Sequence, residues 1–176
     1  MLYLIPAPAH RTILRVAHRL RLRWWRMRRP RLAGCRVLAL DGAGRVLLVR
    51  HSYGSGKWMP PGGGLGRGED VLMAARRELL EETGCTLETA VLLELAEEAL
   101  HGARNAVHVV AGLTRSTPLA DGREIIEAAF FEFDALPVPM PDMFAARLPG
   151  WIKAATAAHR PDAAALPASP PPAPTE

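Results

Sequence analysis

A glycine-dense loop with two adjacent prolines, residues 52–68, runs directly into a segment of helical composition whose last turns carry Glu78, Glu81 and Glu82. Gly and Pro at that density exclude a helix and leave room for no more than a short strand near Lys57 to Met59. The helix is predicted from Glu69 to Thr83, with Gly84 as its C-terminal cap, because glycine reaches the left-handed cap conformation without a Cβ penalty. Glu78 and Glu82 stand four apart and Glu81 three from Glu78, so the carboxylates share neighbouring turns of one helical face.

That placement works against stability. Each like-charge pair costs about 0.2–0.5 kcal/mol, and the negative end of the helix dipole disfavours each anion by about 0.3–1 kcal/mol more. A bound divalent cation would offset both penalties, and an all-oxygen donor set suits magnesium, or manganese, better than zinc. The bland alternative is a solvated polar helix end. Arg77, always charged and presenting a planar fork, is suited to hold Glu69 or Glu78 in position.

Read in full, Gly63, Glu69, Arg77-Glu78-Leu79, Glu81-Glu82 and Gly84-Cys85 fill the pattern G-x5-E-x7-R-E-U-x-E-E-x-G-U, with U apolar, at every fixed position. With average residue usage such a match arises by chance on the order of once in a billion starting positions. The segment resembles the box of the Nudix hydrolases. The resemblance covers about Gly34 to Pro137 and implies an α/β (α+β) fold, a sandwich of helices around a mixed β-sheet. It also implies a magnesium-dependent enzyme that cuts a diphosphate linkage in a nucleoside diphosphate joined to another moiety. Glu78, Glu81 and Glu82 would hold metal, with Gly63 in the adjoining loop. Arg77 would orient the carboxylates, and Glu81 or Glu124 would assist the attacking water. Glu127, Glu97 and Glu98 are alternatives to Glu124. Arg50, Trp58 and Gly63 are candidates for contact with the substrate, although core packing suits Trp58 at least as well.

A second reading, from another class, is a catalytically silent Nudix-like module that binds a nucleotide or a partner. Three repelling carboxylates at a helix end argue against it, since such a module has no physical reason to keep them. Members of the family that act on ADP-ribose commonly carry a proline downstream of the box, and those acting on dinucleoside polyphosphates a tyrosine. No proline occurs from Gly62 to Thr117, and both tyrosines precede the box, which weakens those two substrate classes. Gly54-Ser55-Gly56-Lys57 lacks the earlier glycine and the following Ser or Thr of a phosphate-binding loop. His51, His101 and His108 lack ligand spacing and read as strand or surface histidines.

Charge is unevenly spread. Nine arginines and no acidic residue precede Gly34, so a formal net charge of +4 leaves the remaining chain at 4 − 9 = −5. Ile13, Val16, Ala17, Leu20, Trp24 and Met27 recur at helical spacing beside a stripe of arginines, which predicts a basic amphipathic helix over 12–29, ended by Pro30. Burial of that stripe against the domain or a second subunit, as in a homodimer, is the ordinary expectation. An anionic membrane surface is the alternative, and nucleic acid is a less fitting partner.

Beyond the arm, Cys35 to Leu40 and Arg45 to His51 read as a hairpin of strands buried on both faces. Leu87 to Leu100, Ala106 to Thr114 and Ala128 to Phe133 read as further strands, with loop and helical turns over 115–127. Phe144 to Ala158 reads as a last helix interrupted at Pro149-Gly150. The division expected is an arm over 1–33, a hydrolase domain over 34–160 and an Ala/Pro-rich disordered tail over 161–176. Two cysteines without C-x-x-C spacing fit a reducing cytoplasm. Leu2 to Ala9 has the wrong charge order for a signal peptide, and no run approaches the roughly 18 apolar residues of a membrane span.

Overall fold

Successive residues of a strand face opposite ways, so a strand apolar at every position must be covered on both sides. The computed structural model, which describes residues 6–28, 31–100 and 103–159, resolves this requirement with a layer of helix on each face of one sheet. In chain order the elements are α1 (Ala7–Arg28), β1 (Arg31–Leu40), β2 (Val46–His51), β3 (Trp58–Met59), α2 (Val71–Thr83), β4 (Val91–Leu100), β5 (Ala103–Leu113), β6 (Ile125–Phe131) and α3 (Asp142–Ala158). The sheet runs β3-β2-β1-β5-β4, with β6 added to β2. It is mixed: β1 and β5 are parallel over ten residue pairs, from Arg31↔Arg104 to Leu40↔Leu113, and the other pairings are antiparallel.

The alternation is visible in the core. Val37, Ala39, Leu47 and Val110 meet Ala74, Ala75 and Leu79 of α2 on one face. Their neighbours Leu38, Leu40, Val46, Leu48 and Val109 meet Phe144, Leu148, Trp151 and Ile152 of α3 on the other. Cys35 and Cys85 are free thiols buried on the α2 side, and burial pushes both above the ordinary thiol range.

Three sequence expectations change. The last helix runs unbroken through Pro149. An internal proline costs about 3 kcal/mol, whereas burying Leu148, Trp151 and Ile152 contributes about 1.5–3 kcal/mol each, so packing wins. Leu148 is fully buried, and Leu148→Ala is expected to lower stability by about 2–5 kcal/mol. A fall in the urea midpoint at constant slope would report it. Residues 115–127 contain no helix. The Asp121 carboxylate instead accepts the N–H groups of Arg123, Glu124 and Ile125 at 2.8–3.0 Å, a tight turn that launches β6 three residues earlier than expected.

The third change concerns α1. It docks on the domain, but through a polar face: Arg11 donates to the Gly122 carbonyl at 2.6 and 2.9 Å, Arg15 to the Ser52 carbonyl at 3.1 Å, and the His18 ring lies 5.2 Å from that of Tyr53. Ile13, Val16 and Leu20 of the apolar stripe remain exposed, at 52%, 49% and 61%. The tail beyond Arg160 and the side chains of Trp24 and Met27 lie outside the described residues.

Candidate active site

The loop before α2 is held by backbone pairing. β2 separates from β1 after Leu40↔Val46, and the glycine loop runs along the edge of β1 so exposed. Val37 N–H donates to Pro61 O, Cys35 N–H to Gly63 O and Leu65 N–H to Ala33 O, at 2.8–3.0 Å. Such contact is possible only without side chains: a Cβ on Gly34 would lie 2.8 Å from Gly63 O, and one on Gly62 would lie 2.2 Å from Cys35 O. On α2, Asp70 caps the N-terminus by accepting from Leu72 and Met73 N–H. Gly84, at φ 69°, closes the C-terminus.

Arg77 gathers the acidic residues. Its Nε and Nη2 donate to the two oxygens of Glu69 at 2.8 and 2.9 Å, its Nη1 to Glu78 at 2.8 Å and Glu81 at 3.2 Å, and its Nη2 also to Gly64 O. The guanidinium thus ties the end of α2 to the loop. Beside it, a bond from Gly66 N–H adds to the effect, and Glu69 is held well below the ordinary carboxylate range, at about 2. Glu78 moves the other way, because burial of its carboxylate, reinforced by the charges of Glu82 and Glu81, outweighs Arg77. The Glu78 carboxylate lies where a Cβ on Gly63 would be, 2.6 Å from it, which accounts for glycine at that position.

Glu82 is held separately. One oxygen is 3.0 Å from His51 Nε2 and the other accepts Gly62 N–H at 3.0 Å, with both side chains 9% exposed. His51 is therefore a strand histidine, as read, but one joined to the acidic helix. Spacing could not show this, since the two residues are 31 positions apart. A little further along the chain, Tyr53 O–H donates to Glu124 at 2.7 Å. Arg50 pairs with Glu127 and lies over the Trp58 ring at 5.8 Å. Trp58 packs edge-on against Phe131 at 4.9 Å and against the α3-side core. The side chains of Glu97 and Glu98 lie outside the described residues.

Thus Glu69, Glu78 and Glu81 are brought to one guanidinium and Glu82 to the loop. Among the described residues no three His, Cys, Asp or Glu side chains close around a common point. The NUDIX domain model matches residues 30–154. The chain belongs to the NUDIX family. Proteins of this family generally use a divalent metal ion, and the donor set here fits one: carboxylates only, on adjacent turns of one helix beside a glycine loop.

Over 48 residues this NUDIX chain is 52% identical to the oxidized purine nucleoside triphosphate hydrolase of Danio rerio, and over 58 residues 45% identical to the RNA pyrophosphohydrolase of Dinoroseobacter shibae. These matches span 31% and 36% of those relatives, about a third of their length, and 26% and 32% of this chain. A MutT NUDIX hydrolase from Burkholderia pseudomallei shares its fold with a TM-score of 0.60 at 27% identity, over 70% of this chain and 96% of that one. A MutT protein from Methanosarcina mazei, 22% identical, has the same fold with a TM-score of 0.58, over 74% of this chain and 96% of that one.

Two predictions belong to Arg77. Arg77→Lys keeps the charge but replaces a planar fork serving three carboxylates by a point charge, so turnover is expected to fall about tenfold or more. Initial rates at saturating substrate measure this. Because the folded pKa of Glu69 lies below its ordinary 4.5, its stabilising contribution is complete above about pH 4.5 and lost as pH falls toward 2. Acid melts of the parent should therefore lose more stability across that window than melts of Glu69→Gln.

Proposed function

We propose that this NUDIX chain hydrolyses a diphosphate linkage in a nucleoside diphosphate joined to another moiety, with magnesium, or manganese in its place, held by Glu78, Glu81 and Glu82 beside the loop at Gly63. The observation carrying this reading is the single guanidinium of Arg77 that draws Glu69, Glu78 and Glu81 together next to the loop-bound Glu82. When bound, the cation supplies neutralisation of the diphosphate oxygens and acidification of a water. The chain's own residues do the rest. Arg77 fixes the rotamers of the carboxylates, and Glu81, the most exposed of the box glutamates at 60%, or Glu124, steadied by Tyr53, takes the proton from the attacking water. Arg50 and the half-buried Trp58 beneath it offer a cation and an aromatic ring to the nucleotide.

Two buried free thiols support a reducing, cytoplasmic setting as part of this reading. The test is a panel of nucleotides screened with magnesium and with manganese. It should include an oxidised purine nucleoside triphosphate and RNA, which the relatives' names suggest, with products separated by chromatography. Cleavage between two phosphates is expected. Phosphate released from simple monoesters, with every diphosphate compound intact, would overturn it. Nucleotide binding without turnover would point to the silent module.

A further inference from the structure

On a helix at about 100° per residue, the α1 positions facing the domain and those carrying the apolar stripe fall on roughly opposite sides. Arg11, Arg15 and His18 hold the domain. Ile13, Val16 and Leu20 point away from it, exposed, and the sequence repeats the spacing at positions 24 and 27 with Trp and Met. Positions 19 and 23 flank the stripe on one side and 21 and 28 on the other, and all four are arginine. Among the described residues, a helix docked through its polar side leaves Ile13, Val16 and Leu20 uncovered.

We propose that α1 is an interfacial helix whose apolar stripe lies in the surface of an anionic lipid bilayer, with the flanking arginines at the level of the headgroups. Charge selects this occupant. A second copy would bring nine arginines against nine, with no acidic residue in either arm. Nucleic acid would answer the arginines but leave the apolar stripe in water. An anionic bilayer satisfies both halves of the helix at once, since apolar side chains enter the acyl boundary while basic ones attract the headgroups. Arginine stems can lie along the apolar surface and keep their charge at the interface. The remaining chain, at −5, is repelled by the same surface, which orients the domain outward. Arg15 and His18 also touch Ser52 and Tyr53, so the face bearing Glu124 and the glycine loop would sit close to the membrane.

No helix among the described residues is long and apolar enough to cross a membrane, so the contact is peripheral and should be reversible. The full chain is mixed with vesicles of phosphatidylcholine alone or with phosphatidylglycerol added, and the bound fraction is read by flotation. Binding to the anionic vesicles is expected, at least about tenfold weaker on phosphatidylcholine alone and in high salt. The triple variant Ile13→Ser, Val16→Ser, Leu20→Ser should weaken it by about tenfold or more, and Arg19→Gln with Arg23→Gln by several-fold. A thermal melt unchanged from the parent shows each variant folded, and neither variant touches the hydrolytic residues, so failure here is separate from failure of the proposed reaction. Equal binding to both vesicle types, binding by the triple variant equal to the parent's, or no binding at all would each overturn the proposal. So would a parent dimer that the triple variant turns into a monomer while vesicle binding stays the same, because the stripe would then cover a second copy.

Discussion

If Glu78 and Glu82 hold the cation as proposed, turnover of Glu78→Gln and Glu82→Gln is expected to fall about 10²–10³-fold in magnesium, because a neutral amide is a poor ligand for a hard cation and would remove charge from the clamp on the proposed diphosphate. Their stabilities should part company. Glu78 is largely buried beside Glu81 and Glu82, and burial already resists its ionisation. The amide removes that repulsion and still accepts from Arg77, so Glu78→Gln is expected to melt slightly above the parent in chelator. Glu82 uses both oxygens, for Gly62 N–H and His51. An amide keeps one acceptor and turns the other end into a donor, so Glu82→Gln is expected to lose about 1 kcal/mol. Melts in chelator paired with rates in magnesium measure both quantities. Rates within a few-fold of the parent for both variants would mean that these carboxylates do not hold the cation.

Gly62→Ala should be the most damaging single methyl group in the site. Gly62 has φ 142°, a conformation L side chains rarely adopt, and the added Cβ would lie 2.2 Å from Cys35 O and 3.0 Å from Arg36 Cα. Backbone strain costs about 1–3 kcal/mol and overpacking a further 1–3, roughly. A loss of about 3 kcal/mol or more is therefore expected, and the same shift moves the N–H that holds Glu82, so turnover should fall with it. Gly68 is the control. It too has positive φ, 73°, but nothing lies within 4 Å of its Cβ position, so Gly68→Ala should cost about 1–2 kcal/mol of left-handed strain alone. Urea unfolding of the two variants separates the contributions. Equal losses would show that the loop's closeness to β1 contributes nothing.

Much of the site could be read before any coordinates. The helix end at Gly84, the clustering of Glu78, Glu81 and Glu82 on adjacent turns, and the pairing of Arg77 with Glu69 and Glu78 are consequences of spacing within one helix and the loop that feeds it. The strands buried on both faces implied helices above and below, and α2 and α3 are there. Where reading by spacing failed, a longer-range term decided. Pro149 did not break α3, because buried side chains outweigh one missing N–H, and Asp121 replaced the expected helical turns with a side-chain-capped turn.

What the sequence alone determined was therefore local: where the glutamate-bearing helix ends, which residues share a helical face, and which chemistry a row of carboxylates behind a glycine loop can support. The tertiary structure decided which distant groups meet. His51 reaches Glu82, Tyr53 reaches Glu124 across 71 positions, and the loop at 61–65 lies along β1. It also decided that α1 turns Arg11 and Arg15, not Ile13, Val16 and Leu20, toward the domain. Helical and strand periodicity say which residues point the same way within one element. They carry no information about which element lies opposite, because that depends on sheet order, on register, and on whether the backbones can approach closely enough to exclude a side chain.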